Sequence, residues 1–169
     1  MTKALKISAT PAEVKTITEI TIDFTRPLFT LDDKYLSFAI DGSLAFGGHW
    51  WSPSGSVEWG MGKNKVLPLD VQNKKLIKLT AALAPAYLRI GGTEADKLIF
   101  NEPSSKDNTH QLTPSMWDKM NEFINKTGMK MFFTANAGPL VRNKQHEWQG
   151  SNFEKLLVYS KEKKYALDA

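Results

Sequence analysis

Residues 79–93 read LTAALAPAYLRIGGT, and this stretch joins the end of a helix to the start of a strand. Apolar residues recur at helical spacing over 69–85, with Asp70 as a plausible N-cap and Pro85 as the stop. Residues 86–92 then form a short apolar strand that closes on two glycines. The junction predicts a helix followed directly by a strand, which is typical of α/β proteins.

Strand-like and helix-like segments alternate along the rest of the chain. After the first strand their order is strand, helix, strand, helix, strand, helix, which implies parallel strands joined by right-handed crossovers. The helix over 112–128 begins with Thr113 as N-cap and Pro114 at its first position, and it ends with Gly128. The other predicted elements are strands at 16–24, 35–41 and 129–138, and a helix at 151–165 that opens with the capping box of Ser151 and Glu154.

The number of βα units limits the fold class. Three units do not close a (β/α)₈ barrel, which needs about 250 residues. The chain, with 169 residues, therefore forms either a small open α/β sheet or the first part of a barrel. A doubly wound nucleotide-binding fold would place G-x-G-x-x-G after its first strand, but Gly42, Gly47 and Gly48 do not fit that spacing.

Composition excludes several classes of protein. Apolar residues make up 41% of the chain and charged residues 24%, a normal globular mixture. Cysteine is absent, which excludes a disulfide framework and thiolate metal sites, and His110 and His146 are isolated. The sequence predicts no metal and no cofactor.

Charge and hydropathy bear on partners and compartment. The formal charge of +4 suits an acidic partner such as an anionic glycan, but no basic-aromatic stripe supports nucleic-acid binding. No apolar run is long enough to cross a bilayer, and the first residues lack the apolar stretch of a signal peptide. The protein is expected either to stay inside the cell or, if a native signal was removed, to be secreted or periplasmic.

A segment rich in glycine and serine, 42–64, is predicted to be a long surface loop, and loops of that length are usually functional. Trp50, Trp51 and Trp59 lie in it, and Trp faces stack well on the C–H faces of sugars. Packing against the barrel or a neighbouring chain is the equal alternative. Glu58 is a carboxylate in the same loop, close enough in sequence to reach a site there.

Three phrases resemble the heparanase-like family of glycoside hydrolases. The longest and most specific is LAPAYLRIGGTEADKLIF (83–100). YLSFAIDGSLA (35–45) resembles the family's first barrel strand, and MFFTANAGPLVR (131–142) its third strand and the loop after it. The resemblance covers roughly residues 17–169.

The resemblance implies a (β/α)₈ barrel beside a β-sandwich. Residues 31–169 would then be the first three βα units of the barrel, and 16–30 would give a strand to the sandwich. Residues 1–15 are expected to be a flexible lead-in.

The resemblance also implies an activity, the retaining hydrolysis of β-linked uronic-acid glycosides of the β-glucuronidase or heparanase type. In the family, both catalytic glutamates lie beyond the part that this chain matches. The chain is therefore expected to supply substrate-binding residues, to be inactive alone and to need a complementary polypeptide. One alternative is a non-catalytic glycan-binding relative or subunit, and another is a self-contained small α/β domain.

The residues at the ends of the predicted strands are the candidate site, because barrel active sites lie there. Matching the family, Asp41 would accept hydrogen bonds from two hydroxyls of the uronic acid, where the alternative is a turn before Gly42. Arg89 would pair with the nucleophile glutamate and keep it ionised, or form a structural ion pair. Gly92 would let the backbone approach the sugar, and Thr93 would contact it or cap the turn.

Further candidates follow the third strand. Asn136 would bind a sugar hydroxyl or make a turn, and the two are equally plausible. Arg142, in the next loop, would pair with a substrate carboxylate or sulfate or simply be solvated. Asn101, Glu102 and Pro103 match the acid/base triplet of many (β/α)₈ glycosidases, but that triplet follows the fourth strand of the family. Glu102 is therefore interpreted as part of a turn.

Overall fold

The computed structural model describes residues 2–7, 18–50, 64–102 and 111–168, and within these the side chains of 20–48, 65–102 and 111–168. Two compact units are present, Met1–Asp32 and Asp33–Ala169. In chain order the elements are β1 (Thr2–Ile7), β2 (Thr18–Asp23), β3 (Phe38–Asp41), α1 (Gly42–Phe46), β4 (Gly48–Trp50), β5 (Asn64–Val66), α2 (Lys74–Ala81), β6 (Tyr87–Gly91), β7 (Ile99–Phe100), β8 (Gln111–Leu112), α3 (Pro114–Thr127), β9 (Lys130–Phe133) and α4 (Ser151–Glu162).

The first unit contains an antiparallel pair of strands, β1 and β2, in register from Thr2 opposite Asp23 to Ile7 opposite Thr18. β2 lies inside the strand predicted at 16–24. β1 lies where the sequence predicts a flexible lead-in, so that part of the expectation differs from the structure. Backbone pairing with β2 accounts for the difference, because an edge partner can stabilise a segment whose own pattern is weak.

The second unit is built on a parallel sheet in the order β3-β6-β9, which confirms the parallel α/β arrangement. One face of this sheet is packed. Leu88 and Ile90 of β6 and Met131 of β9 are all at most 3% exposed. Trp117 of α3 is fully buried against this face, and its Nε1 donates to Ser160 Oγ at 2.9 Å. That hydrogen bond satisfies the only polar atom of the indole and ties α3 to α4.

The opposite face of the sheet is exposed. Register places Ala39 beside Arg89 and Arg89 beside Phe132, and all three side chains are exposed. Parallel sheets are normally covered on both faces, since their strands are joined by elements that pack on them. We call Ala39, Arg89 and Phe132 the open face of the sheet.

The observed N-cap is the predicted one in α3, whereas it differs from the prediction in α2 and α4. α3 begins with Thr113 as N-cap, whose hydroxyl accepts from Met116 N at 3.2 Å, and ends at Gly128 with φ +70°. α2 begins later than predicted, because Asp70 accepts from Gln72 N in a local turn and Asn73 is the N-cap. The predicted capping box of α4 is wrong: Gly150 is its N-cap, and Ser151 is already helical.

The prediction of a loop over 42–64 is wrong at both ends of this range, where the structure has helical and strand residues. It opens with the one-turn helix α1 and continues into β4, which pairs antiparallel with β5. α1 forms because Asp41 caps it, with Oδ1 accepting from Ser43 N at 2.9 Å. Residues 51–63 lie outside the described residues.

A carboxylate on α3 fixes the end of α4. Both Tyr159 and Tyr165 donate their hydroxyls to Asp118, at 2.9 Å to Oδ1 in each case. Burial, with these hydrogen bonds, raises the pKa of Tyr165 to about 12 and also raises the pKa of Tyr159. Both hydroxyls therefore stay protonated donors at neutral pH, and the cluster locks α4 onto α3.

The chain returns to the edge of β9 near residue 168. Asp168 N donates to Met131 O at 3.1 Å, and Asp168 Oδ2 accepts from Met131 N at 3.1 Å. Lys130 Nζ lies 3.0 Å from Asp168 Oδ1, and this hydrogen bond raises the pKa of Lys130. Asp168 therefore occupies the position of a strand neighbour on the free side of β9.

Candidate functional site

Parallel strands end at one edge of the sheet, and the structure brings the predicted strand-end residues there. Asp41 ends β3 directly beside Gly91, which ends β6. The Asp41 carboxylate is half-buried and is oriented by its contact with Ser43 N. Oδ1 therefore accepts a backbone hydrogen bond, whereas Oδ2 points toward Gly92, directly after the neighbouring strand β6.

Gly92 meets that second oxygen. Its φ is +90°, and a Cβ placed there would lie 2.1 Å from Asp41 Oδ2. Only a residue without a side chain lets a carboxylate approach so closely in that backbone conformation. The requirement for glycine is therefore steric and conformational, and it holds Asp41 against the turn after β6.

Arg89 lies on the open face, upstream of the same turn. Its guanidinium folds over Gly91, where a Cβ would be 2.4 Å from Cζ. Within the described residues, no carboxylate forms an ion pair with it. The structure thus leaves an exposed cation at the middle of β6, and its pairing with a nucleophile stays a prediction.

The turn after Thr93 is held by a buried ion pair that sequence reasoning missed. Lys97 Nζ lies 2.5 Å from Glu94 Oε1, with the two side chains 10% and 4% exposed. Breaking a buried pair leaves an uncompensated charge, so the pair fixes the 3₁₀ turn that follows Thr93. In the sequence, this ion pair is indicated only by an acidic and a basic residue three positions apart. That spacing does not predict burial, because surface ion pairs on helices have the same spacing. Thr93 itself is half-buried at the site edge.

Asn136 is buried, and its amide is used inside the chain. Nδ2 donates to Leu98 O at 2.7 Å and Oδ1 accepts from Gly138 N at 2.9 Å. These contacts match the turn-making alternative and join the loops after β6 and β9. A direct contact of Asn136 with sugar stays a prediction.

Arg142 and Trp148 face each other across the loop after β9 in an isolated antiparallel bridge. Arg142 donates from Nε to Ala137 O at 3.0 Å and from Nη1 to His146 O at 2.7 Å. Trp148 Nε1 donates to Asn136 O at 2.8 Å, yet the residue is 46% exposed. Sequence reasoning missed Trp148, although its polar setting in HEWQG was a signal.

The remaining candidates have no described side chains. Trp50 is in β4 by its backbone alone, whereas Trp51, Glu58 and Trp59 lie outside the described residues. Their proposed contacts with sugar stay predictions.

Glu102 does not follow a strand of the parallel sheet β3-β6-β9. It follows β7, and its carboxylate accepts from Lys155 of α4. This exposed ion pair is an ordinary surface interaction.

Neither a metal centre nor a membrane span is found in the part of the chain that the structure describes. Its His, Asp and Glu side chains form no group of three or more that could hold an ion. None of its helices has the length and apolar character needed to cross a bilayer.

Comparison with known proteins identifies relatives. Heparanase-like protein 3 of Arabidopsis thaliana is 28% identical over 163 residues, which cover 82% of this chain and 28% of the relative. Baicalin-beta-D-glucuronidase of Scutellaria baicalensis is 27% identical over 175 residues, which cover 82% of this chain and 31% of the relative. Heparanase of Bos taurus is 26% identical over 189 residues, which cover 83% of this chain and 31% of the relative. The chain thus spans less than a third of the length of each of these relatives.

The family model described as Glycosyl hydrolase family 79, N-terminal domain, matches residues 17–169, the same range over which the three phrases of the sequence resemble heparanase-like enzymes. The match confirms that resemblance. It agrees with the α/β structure and its parallel sheet. The chain therefore belongs to glycosyl hydrolase family 79, a family of glycoside hydrolases.

Proposed function

We propose that this chain supplies the sugar-binding edge of a retaining glycosidase that acts on β-linked uronic-acid glycosides. The observation that carries the proposal is the Asp41 carboxylate, held with Oδ2 against Gly92 where β3 and β6 end. A carboxylate fixed in this way can accept from two vicinal hydroxyls and set the orientation of a sugar ring. The relatives' names, glucuronidase and heparanase, support a uronic-acid substrate.

The fold of the intact protein is part of the proposal. The parallel sheet would be the first three strands of a (β/α)₈ barrel, and β2 would join a β-sandwich. The open face and the contact of Asp168 with the edge of β9 support the barrel. An exposed parallel face needs a cover, and a strand neighbour at Met131 is where a fourth parallel strand would begin.

Arg89 has the role of supporting the nucleophile. It is exposed on the open face, which would become the barrel interior, and no described carboxylate pairs with it. A glutamate brought close to this guanidinium would be held ionised and aimed at the anomeric carbon.

The other candidates complete the glycan site. Thr93 and Arg142 would donate hydrogen bonds to hydroxyl and acidic groups. Asn136 would act chiefly through the loop that it holds. Trp50, Trp51 and Glu58 would line the side formed by the loop after α1. The formal charge of +4 suits an anionic glycan.

The catalytic carboxyl pair would come from a complementary polypeptide. A retaining enzyme needs two carboxyl groups about 5–5.5 Å apart. Two acidic side chains around the turn after β6 have other roles: Asp41 caps α1, and Glu94 is paired with Lys97. The complementary polypeptide stands for the rest of the relatives' length, as a separate chain or as a continuation of this one, and this chain covers less than a third of that length.

The test is an activity assay of the chain, the complementary polypeptide and their mixture, which we call the assembled enzyme. Nitrophenyl β-glucuronide is expected to be hydrolysed by the assembled enzyme and by neither part alone. Nitrophenyl β-glucoside, which differs only in having a hydroxymethyl group in place of the carboxylate, is the matched control and should be hydrolysed poorly. Full hydrolysis by the chain alone would contradict the proposal. Binding of the glucuronide by the mixture without turnover would favour a non-catalytic glycan-binding subunit.

A further inference from the structure

We propose that Glu94 and Lys97 are positioning residues of the proposed reaction, and that their buried ion pair fixes the edge where the sugar binds. The inference rests on the proposed function and adds to it two residues that act through their neighbours. The pair directly follows Thr93, and its side chains are 4% and 10% exposed. Stability alone is a weak reason for such a pair, because packed apolar residues of similar volume are often equally stable.

The two carboxylate oxygens of Glu94 face different parts of the fold. Oε1 lies 2.5 Å from Lys97 Nζ, which closes the ion pair across the 3₁₀ turn. Oε2 faces the start of β4, since a Cβ built at Gly48 would lie 3.0 Å from it. The same Cβ would lie 3.5 Å from Ser43 Cβ in α1. The Glu94 side chain therefore lies where the turn after β6, α1 and β4 meet.

Ser43 links this meeting point to the proposed sugar-binding carboxylate. Ser43 is fully buried, and its hydroxyl has no hydrogen-bond partner within the described residues. An unpaired buried hydroxyl costs free energy, so stability does not explain this polar group either. The backbone N of Ser43 donates to Asp41 Oδ1 at 2.9 Å. A shift of α1 relative to the turn after β6 would therefore move Asp41.

The turn after β6 is packed from two sides. A Cβ built at Gly42 of α1 would lie 2.7 Å from Ala95 N. On the side of the loop after β9, Gly138 N donates to Asp96 O at 3.0 Å. Ala95 N also donates to Gly92 O at 3.0 Å, so a displacement of the turn reaches Gly92. The ion pair therefore holds α1, the turn and Gly92 together as one unit.

The experiment measures KM, kcat and the midpoint of urea unfolding of the assembled enzyme, with nitrophenyl β-glucuronide as substrate. Lys97→Met keeps a long side chain and removes its charge. It should raise KM about tenfold, the size of one weakened hydrogen bond from a sugar hydroxyl to Asp41. It should leave kcat within about threefold, because contacts made equally in the bound substrate and the transition state affect KM alone. The urea midpoint should fall, because the buried Glu94 carboxylate loses its cation.

Glu94→Met combined with Lys97→Met separates positioning from stability. With both charges removed, no uncompensated charge is left in the interior, so the urea midpoint should recover most of the loss. The ion pair that aligns the turn with α1 is still missing, so KM should stay as high as in Lys97→Met. A purely structural pair would instead let KM return together with the midpoint. The double variant also decides the question if Lys97→Met does not fold.

Two further variants are the controls. Ser160→Ala removes the buried acceptor of Trp117 Nε1, which lies 2.9 Å away and joins α3 to α4. It should lower the urea midpoint and leave KM unchanged, because a buried donor is left unpaired without any effect on the turn after β6. Lys126→Met removes the cation of an exposed ion pair with Glu122 and should change neither quantity.

A raised KM in both Lys97 variants, with an unchanged KM in both controls, supports the inference. It is overturned by an unchanged KM in Lys97→Met, by a KM that returns to the unaltered value in the double variant, by failure of both variants to fold, or by an equal rise in Ser160→Ala. Each of these results leaves the proposed function standing. Absence of glucuronide hydrolysis by the unaltered assembled enzyme refutes the proposed function itself, and this inference with it.

Discussion

Asp41→Asn is expected to lower kcat/KM of the assembled enzyme for nitrophenyl β-glucuronide by about 10²–10⁴-fold. Hydrogen bonds to a charged group contribute about 1.5–3 kcal/mol each, and the proposed contact uses two sugar hydroxyls. Each 1.4 kcal/mol is about a factor of ten. Asparagine is as good an N-cap as aspartate, so the contact with Ser43 N and the start of α1 should survive. Steady-state kinetics with circular dichroism as a folding check measures the effect.

Asp70→Asn is the matched control for this substitution. Asp70 Oδ1 accepts from Gln72 N at 3.0 Å, as Asp41 Oδ1 accepts from Ser43 N at 2.9 Å, so both carboxylates have the same local role. Asp70 precedes α2, and its side chain is exposed. Its substitution should leave kcat/KM within about twofold, since surface changes of this kind are worth about 0.5 kcal/mol or less. Equal losses in the two variants would mean that Asp41 acts only as a cap.

Gly92→Ala is expected to lower the free energy of unfolding of the assembled enzyme by about 2–5 kcal/mol. A side chain at a left-handed φ costs about 1–2 kcal/mol, and forcing a methyl group against packed atoms costs about 1–3 kcal/mol more. At Gly92 both apply, because φ is +90° and the new Cβ would lie 2.1 Å from Asp41 Oδ2. Urea unfolding gives the free energy, and glucuronide turnover should fall with it because Asp41 must move.

Gly128→Ala separates the conformational cost of the positive φ from the steric cost of the close contact. Gly128 has φ +70°, but a Cβ there would meet only Ala84 Cβ at 3.7 Å, an ordinary contact. This variant should lose only the conformational part, about 1–2 kcal/mol. Combining Gly92→Ala with Asp41→Ala should recover much of the steric part, as a double-mutant cycle would measure. No coupling between the two positions would refute the close contact of Gly92 with Asp41.

The sequence was sufficient for the parts of the fold that rest on local signals. α3 was predicted within two residues at each end, because Thr113, Pro114 and Gly128 mark its ends by capping and by conformational preference. The parallel order of the sheet followed from the alternation of strands and helices. The sequence places the start of α2 too early, because Asp70 and Asn73 are both good caps and only the folded chain shows that Asn73 is the one used.

Features that depend on distant partners could not be predicted in this way. β1 exists through pairing with β2, and β7 and β8 are two-residue strands that pair with each other across a long connection. The site shows the same limit. Asp41 and Gly92 were each selected as strand-end residues, but their contact appears only when β3 and β6 are side by side. The burial of Glu94 with Lys97 is likewise invisible in a spacing that surface ion pairs share.

The claim that this chain binds the sugar while another polypeptide supplies the nucleophile has a direct test in covalent trapping. A retaining enzyme forms a glycosyl ester on its nucleophile, and a 2-deoxy-2-fluoro-glucuronosyl fluoride makes that ester long-lived. Intact-mass spectrometry of the trapped assembled enzyme should find one added sugar on the complementary polypeptide and none on this chain. A label on this chain, above all on Glu102, would contradict the account, because its nucleophile would then lie within these residues.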